Sequence, residues 1–153
     1  MGHNEATSRE RDRVVDEDNI PLAHPDPWVD LTRQYVTQAV RALRSGGLQV
    51  ERSWLDPRDP RDATVVYASP ADARLCALVW DEVTGWRRGE FVRGQQGERT
   101  ELSGATYLGG GVLVDGSDLI GRLRHRVAEP EQVYRSVDAL HDGLDDALGH
   151  RFG

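Results

Sequence analysis

The stretch Leu75-Cys76-Ala77-Leu78-Val79-Trp80-Asp81-Glu82-Val83-Thr84-Gly85-Trp86 decides the fold. Six residues from Leu75 to Trp80 are apolar without alternation, as in a strand covered on both faces. Glu82-Val83-Thr84-Gly85 suits a four-residue hairpin loop, with glycine supplying a positive φ. Trp86 to Val92 then returns. A central antiparallel hairpin is therefore expected, and the neighbouring segments fall into place around it.

Before the hairpin, Leu48, Val50 and Trp54 alternate with Gln49, Glu51 and Arg52, as in a half-buried strand. Thr64 to Ala68 is a second strand. The intervening Asp56-Pro57-Arg58-Asp59-Pro60-Arg61-Asp62 repeats Asp-Pro-Arg and is expected as an exposed loop, because proline removes amide donors and the charges favour water. After the hairpin, Gly94 to Arg99 is a polar loop and Glu101 to Leu108 a fifth strand.

Helices flank the strands. Asp26 is a suitable N-cap and Pro27 a first helical residue. Trp28, Leu31, Tyr35, Val36, Ala39, Val40 and Leu43 then recur at helical spacing until Gly46-Gly47. Ser117-Asp118 can cap a helix carrying Leu119, Ile120, Leu123 and Val127. Pro130 is expected to start a last helix with a stripe of Val133, Val137, Leu140, Leu144 and Leu148. The fold class is α+β: an N-terminal helix, a four- or five-stranded antiparallel sheet, and two C-terminal helices packed mainly on one face. Residues 1–24, with Arg9-Glu10-Arg11-Asp12-Arg13 and Asp16-Glu17-Asp18, form a disordered charged tail, and 25–153 a single domain.

Several pieces together resemble a bacterial family, common in actinobacteria and known only as a domain of unknown function. They are the amphipathic helix around Tyr35 to Leu43, the run Leu78 to Glu82, Gly85-Trp86, and Tyr107-Leu108-Gly109-Gly110 ahead of a helix. The resemblance spans roughly Trp28 to Val127. It implies a single-domain cytoplasmic protein and brings no activity, cofactor or catalytic residue.

Composition narrows the functions. The net charge is −7, which repels phosphate at long range and disfavours nucleic acid and anionic membrane. No run approaches the ~20 apolar residues of a membrane span, and the polar N-terminus has no signal-like core, so a cytoplasmic location is expected. Cys76 is the only cysteine and excludes an internal disulfide; its apolar setting marks it as a small core residue. All 19 basic residues apart from histidine are arginine, so each can fork onto a carboxylate or phosphate.

The chain holds no nucleotide fingerprint, zinc helix or Ser-His-Asp signature, and no metal or cofactor is expected. His141/Asp145 and Asp146/His150 have metal-ligand spacing but point different ways around a helix. Arg122, Arg124 and Arg126 do not make one stripe. Gly109-Gly110-Gly111 lacks the ending of a phosphate loop and reads as a turn. The preferred function is a non-enzymatic binding or regulatory module, with a homodimer or another protein partner. The alternative is a small cofactor-free enzyme or ligand binder. Its pocket would lie between sheet and helices, lined by Trp54, Tyr67, Trp80, Trp86 and Tyr107, with Asp81 or Glu90 as acid or base. If Asp81 and Trp86 close the hairpin, the two indoles face opposite ways; a bulge would change that.

Overall fold

The computed structural model describes residues 19–56, 60–136 and 142–152. Within them, α1 (Pro27–Asp30) and α2 (Arg33–Ser45) precede five strands: β1 (Gln49–Asp56), β2 (Asp62–Ala68), β3 (Leu75–Asp81), β4 (Gly85–Arg93) and β5 (Glu101–Tyr107). Helices α3 (Gly116–Arg124) and α4 (Leu144–Phe152) follow. The strands form one antiparallel meander in the order β1-β2-β3-β4-β5, with β3 central as its apolar run requires. No described helix is long and apolar enough to cross a membrane.

The hairpin closes one residue earlier than its loop length suggests. Asp81 pairs with Gly85, so Trp80 stands directly opposite Trp86 and both indoles share the inner, helix-covered face. Asp81 makes this possible. Its Oδ1 accepts from the Val83 and Thr84 amides at 2.8 and 2.6 Å, and its Oδ2 accepts from Thr84 Oγ1 at 2.5 Å. Gly85 sits at φ +76°, and a Cβ there would fall 2.7 Å from the Gly111 carbonyl oxygen.

Both indoles are fully buried, at 0% exposure. Each N–H therefore needs an internal acceptor. Trp86 Nε1 donates to Tyr35 Oη at 2.9 Å, and Tyr35 Oη donates to the Val114 carbonyl at 2.6 Å. Trp80 Nε1 donates to the Val112 carbonyl at 2.8 Å. Tyr35 lies 5.6 and 6.2 Å from the two indole rings, tilted against both. The phenol thus joins α2, the hairpin and the segment after β5.

Four expectations are revised. The first helix breaks at Leu31–Thr32, so Val29 is buried and Trp28 is at the surface. Val50 and Trp54 do not share a face. A bulge between Val50 and Arg52 shifts the register, sending Val50 to the inner core and Trp54 to the outer face with Val66 and Ala77. Asp115, not Ser117, caps α3, accepting from the Asp118 amide at 2.8 Å.

The last revision concerns the C-terminal segment. Pro130 starts no helix: Glu129 bridges to Tyr107, the Tyr134 amide donates to the Val83 carbonyl, and Val133 is exposed. Residues 137–141, including Val137, Leu140 and His141, lie outside the described residues. Leu144 and Leu148 of α4 do reach the core.

The expected tail falls mostly in residues 1–18, outside the described ones. Its last part is joined to the body: Ile20 packs against the core, and Ser53 Oγ donates to the Asn19 carbonyl at 2.6 Å.

Tyr35→Phe removes one buried donor and one buried acceptor while conserving volume. We expect a loss of about 1–3 kcal/mol for each polar group left unpaired, read by urea unfolding with tryptophan fluorescence. A loss below about 0.5 kcal/mol, the size of an ordinary surface substitution, would contradict the role assigned to this phenol.

Candidate functional site

Among the described residues, three places bring charged groups together, and they differ in whether those groups are already occupied.

The first centres on Arg61, which the Asp-Pro-Arg pattern puts in an exposed loop and the structure buries to 1% exposure. Its Nε and one terminal nitrogen fork onto Glu82 at 2.8 and 2.9 Å, and its backbone amide donates to the same carboxylate at 2.7 Å. The guanidinium also reaches the Trp28 carbonyl at 2.9 Å and Asp145 at 2.6 Å, 4.5 Å from the Trp28 ring centroid. Arg135 adds bonds to Glu82 and Asp142. Burial alone would raise the Glu82 carboxyl; the hydrogen bonds from Arg61 and Arg135 outweigh it and hold the group below its usual value. These charges are spent on one another. They clamp α1, the hairpin loop, residue 135 and α4 together.

The second is a pair of aspartates at the β1–β2 end. Asp56 and Asp62 are register partners, and both are buried. Asp56 accepts from Trp54 Nε1 at 3.2 Å and from the Gly97 amide at 2.8 Å, which fastens the β4–β5 loop over the outer face. Among the described residues, Asp62 Oδ1 has no hydrogen-bond partner. Burial, then the adjacent Asp56 charge, pushes the Asp62 carboxyl up to about 7; Arg87 and Arg99 oppose this. Across all described residues, no group of three His, Cys, Asp or Glu side chains is arranged to hold a metal ion.

The third is a cleft of about 650 Å³ on the inner face, between the sheet and the C-terminal end of α3. The Gly46–Leu48 turn and the Ser69–Ala71 turn form two of its sides. Tyr67 and Cys76, register partners on β2 and β3, line the sheet side with Arg88 and Thr106. Bare backbone at Gly89 and Gly104 adds to the lining, and Ile120 and Leu123 form the α3 wall. Burial raises both the Tyr67 phenol, to about 12, and the Cys76 thiol, so both stay protonated and neither is an activated nucleophile.

Of the aromatic residues expected to line a pocket, Tyr67 does. Trp80 and Trp86 are sealed in the core beyond a ligand's reach. Trp54 is on the outer face, 6.5 Å from Phe91 in an edge-on contact. Tyr107 is half-buried in register with Arg87, outside the cleft lining. Asp81 is committed to the hairpin loop and to Arg87 at 3.0 Å. Glu90 is opposite Cys76 in register, but its carboxylate is 54% exposed and 3.9 Å from Arg74, and it does not line the cleft. The arrangement brings none of the expected acid–base groups together with the expected aromatic wall.

The residues that sequence reasoning missed are Arg88, Arg124 and Arg126. The sequence signal covers two of them, Arg124 and Arg126, in the cluster at 122–126, whose members do not share a helical stripe. They need not: Arg126 follows the helix, and Arg88 comes from the sheet.

The model of the family of unknown function DUF6292 matches residues 35–139. The chain belongs to this family. Its matched region runs from Tyr35 through all five strands and α3 to the C-terminal segment, and so contains every residue of the cleft. No curated protein and no solved structure matches the chain.

The two closed charge centres make separate predictions. Glu82→Leu removes the forked partner of the buried Arg61, leaving it only the half-exposed Asp145, and should cost up to about 3–5 kcal/mol, whereas Arg61→Met combined with Glu82→Leu should recover much of it. A single-variant loss under about 1 kcal/mol in urea titration, within the range of an exposed pair, would contradict the clamp. For Asp62 the raised folded value means that the native state holds the extra proton between the unfolded value of 3.8 and about 7. Its contribution is therefore full below 3.8 and falls as pH rises through that window. Asp62→Asn should be more stable than the parent at pH 8, with the gap closing towards pH 4. Parallel stability–pH curves for the two proteins would refute the shift.

Proposed function

We propose that this member of DUF6292 is a non-enzymatic binding module whose site for a small molecule is the cleft between the sheet and α3. One observation carries the reading: the inner face of the sheet is covered at its Trp80–Trp86 end and open at its Tyr67–Arg88 end, leaving about 650 Å³. That volume falls within the roughly 300–1,000 Å³ of ordinary ligand pockets. The lining combines apolar surface from Leu48, Ile120 and Leu123 with convergent polar groups from Tyr67, Thr106 and arginine.

Two features favour binding over catalysis. The lining has no carboxylate or histidine to move protons, and its one thiol is held protonated. Of the two functional expectations from the sequence, partner contact and pocket, the geometry gives the pocket the better support. The β5 edge is interrupted by a register shift beside Gly104 and bridged at Tyr107 by Glu129, features that discourage strand addition by a second copy.

The test is a small-fragment screen against the isotope-labelled protein by NMR. Hits should perturb the amides of Tyr67, Gly89, Gly104 and Leu123 together. Ala71→Trp, placed on the exposed turn at the cleft, should abolish those responses without unfolding the protein. A screen whose hits all map elsewhere, or responses indifferent to Ala71→Trp, would overturn the proposal.

A further inference from the structure

We infer that the cleft selects an anion, a carboxylate or phosphate on a compact organic body, and that Arg126 determines this selectivity. The inference rests on the small-molecule reading of the cleft just given.

The first observation is the sign of the lining. In a chain with 26 acidic and 19 basic residues, the cleft's charged residues are three arginines, Arg88, Arg124 and Arg126, with no Asp or Glu among its lining residues. Several arginines outside the cleft are paired with a carboxylate: Arg61 with Glu82, Arg87 with Asp81, Arg93 with Glu101, and Arg122 with Asp118.

The second observation is spare donor capacity. A guanidinium carries five N–H donors. Arg88 has two long bonds, 3.4 Å to Thr106 Oγ1 and 3.4 Å to the Leu123 carbonyl. Arg124 gives one bond to the Gly46 carbonyl. Among the described residues, the Arg126 side chain has no hydrogen-bond or ion-pair partner, and it is exposed. Donors thus reach the cleft from the sheet and from the end of α3, a disposition suited to forked recognition of a planar carboxylate or a phosphate.

The third observation is where Arg126 stands. Helix α3 ends with the Arg126 amide on the Leu123 carbonyl and the Val127 amide on the Arg122 carbonyl. The residue at this point turns left-handed, a place usually taken by glycine. Here it is an arginine at φ +52°. A side chain in that conformation costs stability. Glycine would relieve the strain and remove the guanidinium from the cleft.

Arg126→Gly therefore separates folding from binding. Its melting temperature should equal or exceed the parent's. Three probes differ in charge on a similar ring: benzoate, phenyl phosphate and neutral benzamide, titrated by NMR against the full chain. At least one anion should bind about tenfold or more tightly than benzamide, and Arg126→Gly should lower that anion's affinity by about tenfold. Arg126→Lys should restore only part, because it lacks the fork. Whichever anion binds more tightly identifies the preferred group. Equal binding of all three, unchanged in Arg126→Gly, would overturn anion selectivity while leaving the cleft as a binding site. Absence of binding by all three, with neutral fragments still seated in the cleft, would also overturn it. No probe or fragment in the cleft would instead refute the small-molecule reading beneath it.

Discussion

Two indole N–H groups buried side by side impose the main constraint on this fold. Trp80 and Trp86 face the same way because Asp81 closes the hairpin onto Gly85, and neither indole can reach water. Their acceptors must come from elements that can approach a sheet closely. Tyr35 supplies one from α2, and the chain after β5 supplies the other at Val112. Because Tyr35 also donates to Val114, satisfying the indoles fixes the helix, the hairpin and the post-β5 segment at once. Burial of the aromatic surface provides the favourable free energy; the hydrogen bonds make this arrangement the one without an unpaired polar group.

That constraint also sets where the sheet stays open. Along β4, Trp86, Arg88 and Glu90 project from the same face, and they are respectively buried, half-buried and exposed. The gradient follows the cover: α2 and the post-β5 chain must sit over the indoles, and α3 reaches the middle of the strand only at its C-terminal end. The aromatic residues are consumed in closing one end of the sandwich. What lines the open end is a tyrosine, a thiol, backbone and arginine. The Arg61–Glu82 clamp lies at the closed end, joining the hairpin loop to α1 and α4. A buried ion pair contributes little net stability over an apolar substitute, but it penalises any arrangement that separates its partners. Its position fits a role in fixing how the C-terminal helix docks.

The periodic parts of the sequence were legible. An unbroken apolar run located the central strand, alternation located its neighbours, and the residues after Thr32 mark α2. The failures share a cause: one-residue events with large consequences. The bulge after Val50 reverses the face of Trp54, and the closure at Gly85 reverses the relation of the two indoles. Neither changes composition or average hydropathy. Arg61 was misread because charge beside proline usually means solvent, and its partner Glu82 is distant in sequence. The cleft was the least legible feature. It is assembled from two turns, the sheet and the end of a helix, and its charged lining is drawn from residues far apart in sequence. That grouping exists only in three dimensions.

The cleft arginines reconcile an acidic chain with the proposed site for anions. At a distance, an anion meets a net charge of −7 and is repelled. Inside the cleft it meets three guanidiniums at short range, where apolar walls reduce screening. The Debye length at physiological salt is about 8 Å, shorter than the dimensions of the domain, so all but the nearest carboxylates, Asp72 and Glu90 beside Cys76, act weakly on a small ligand seated among the arginines. A polyanion stays subject to the net charge, since its remaining charges extend beyond the cleft. On the proposed reading, the same electrostatics that admit one compact carboxylate or phosphate exclude nucleic acid and anionic membrane. The selectivity needs no steric gate: the short range of the arginine forks and the long range of the surface charge act on ligands of different size.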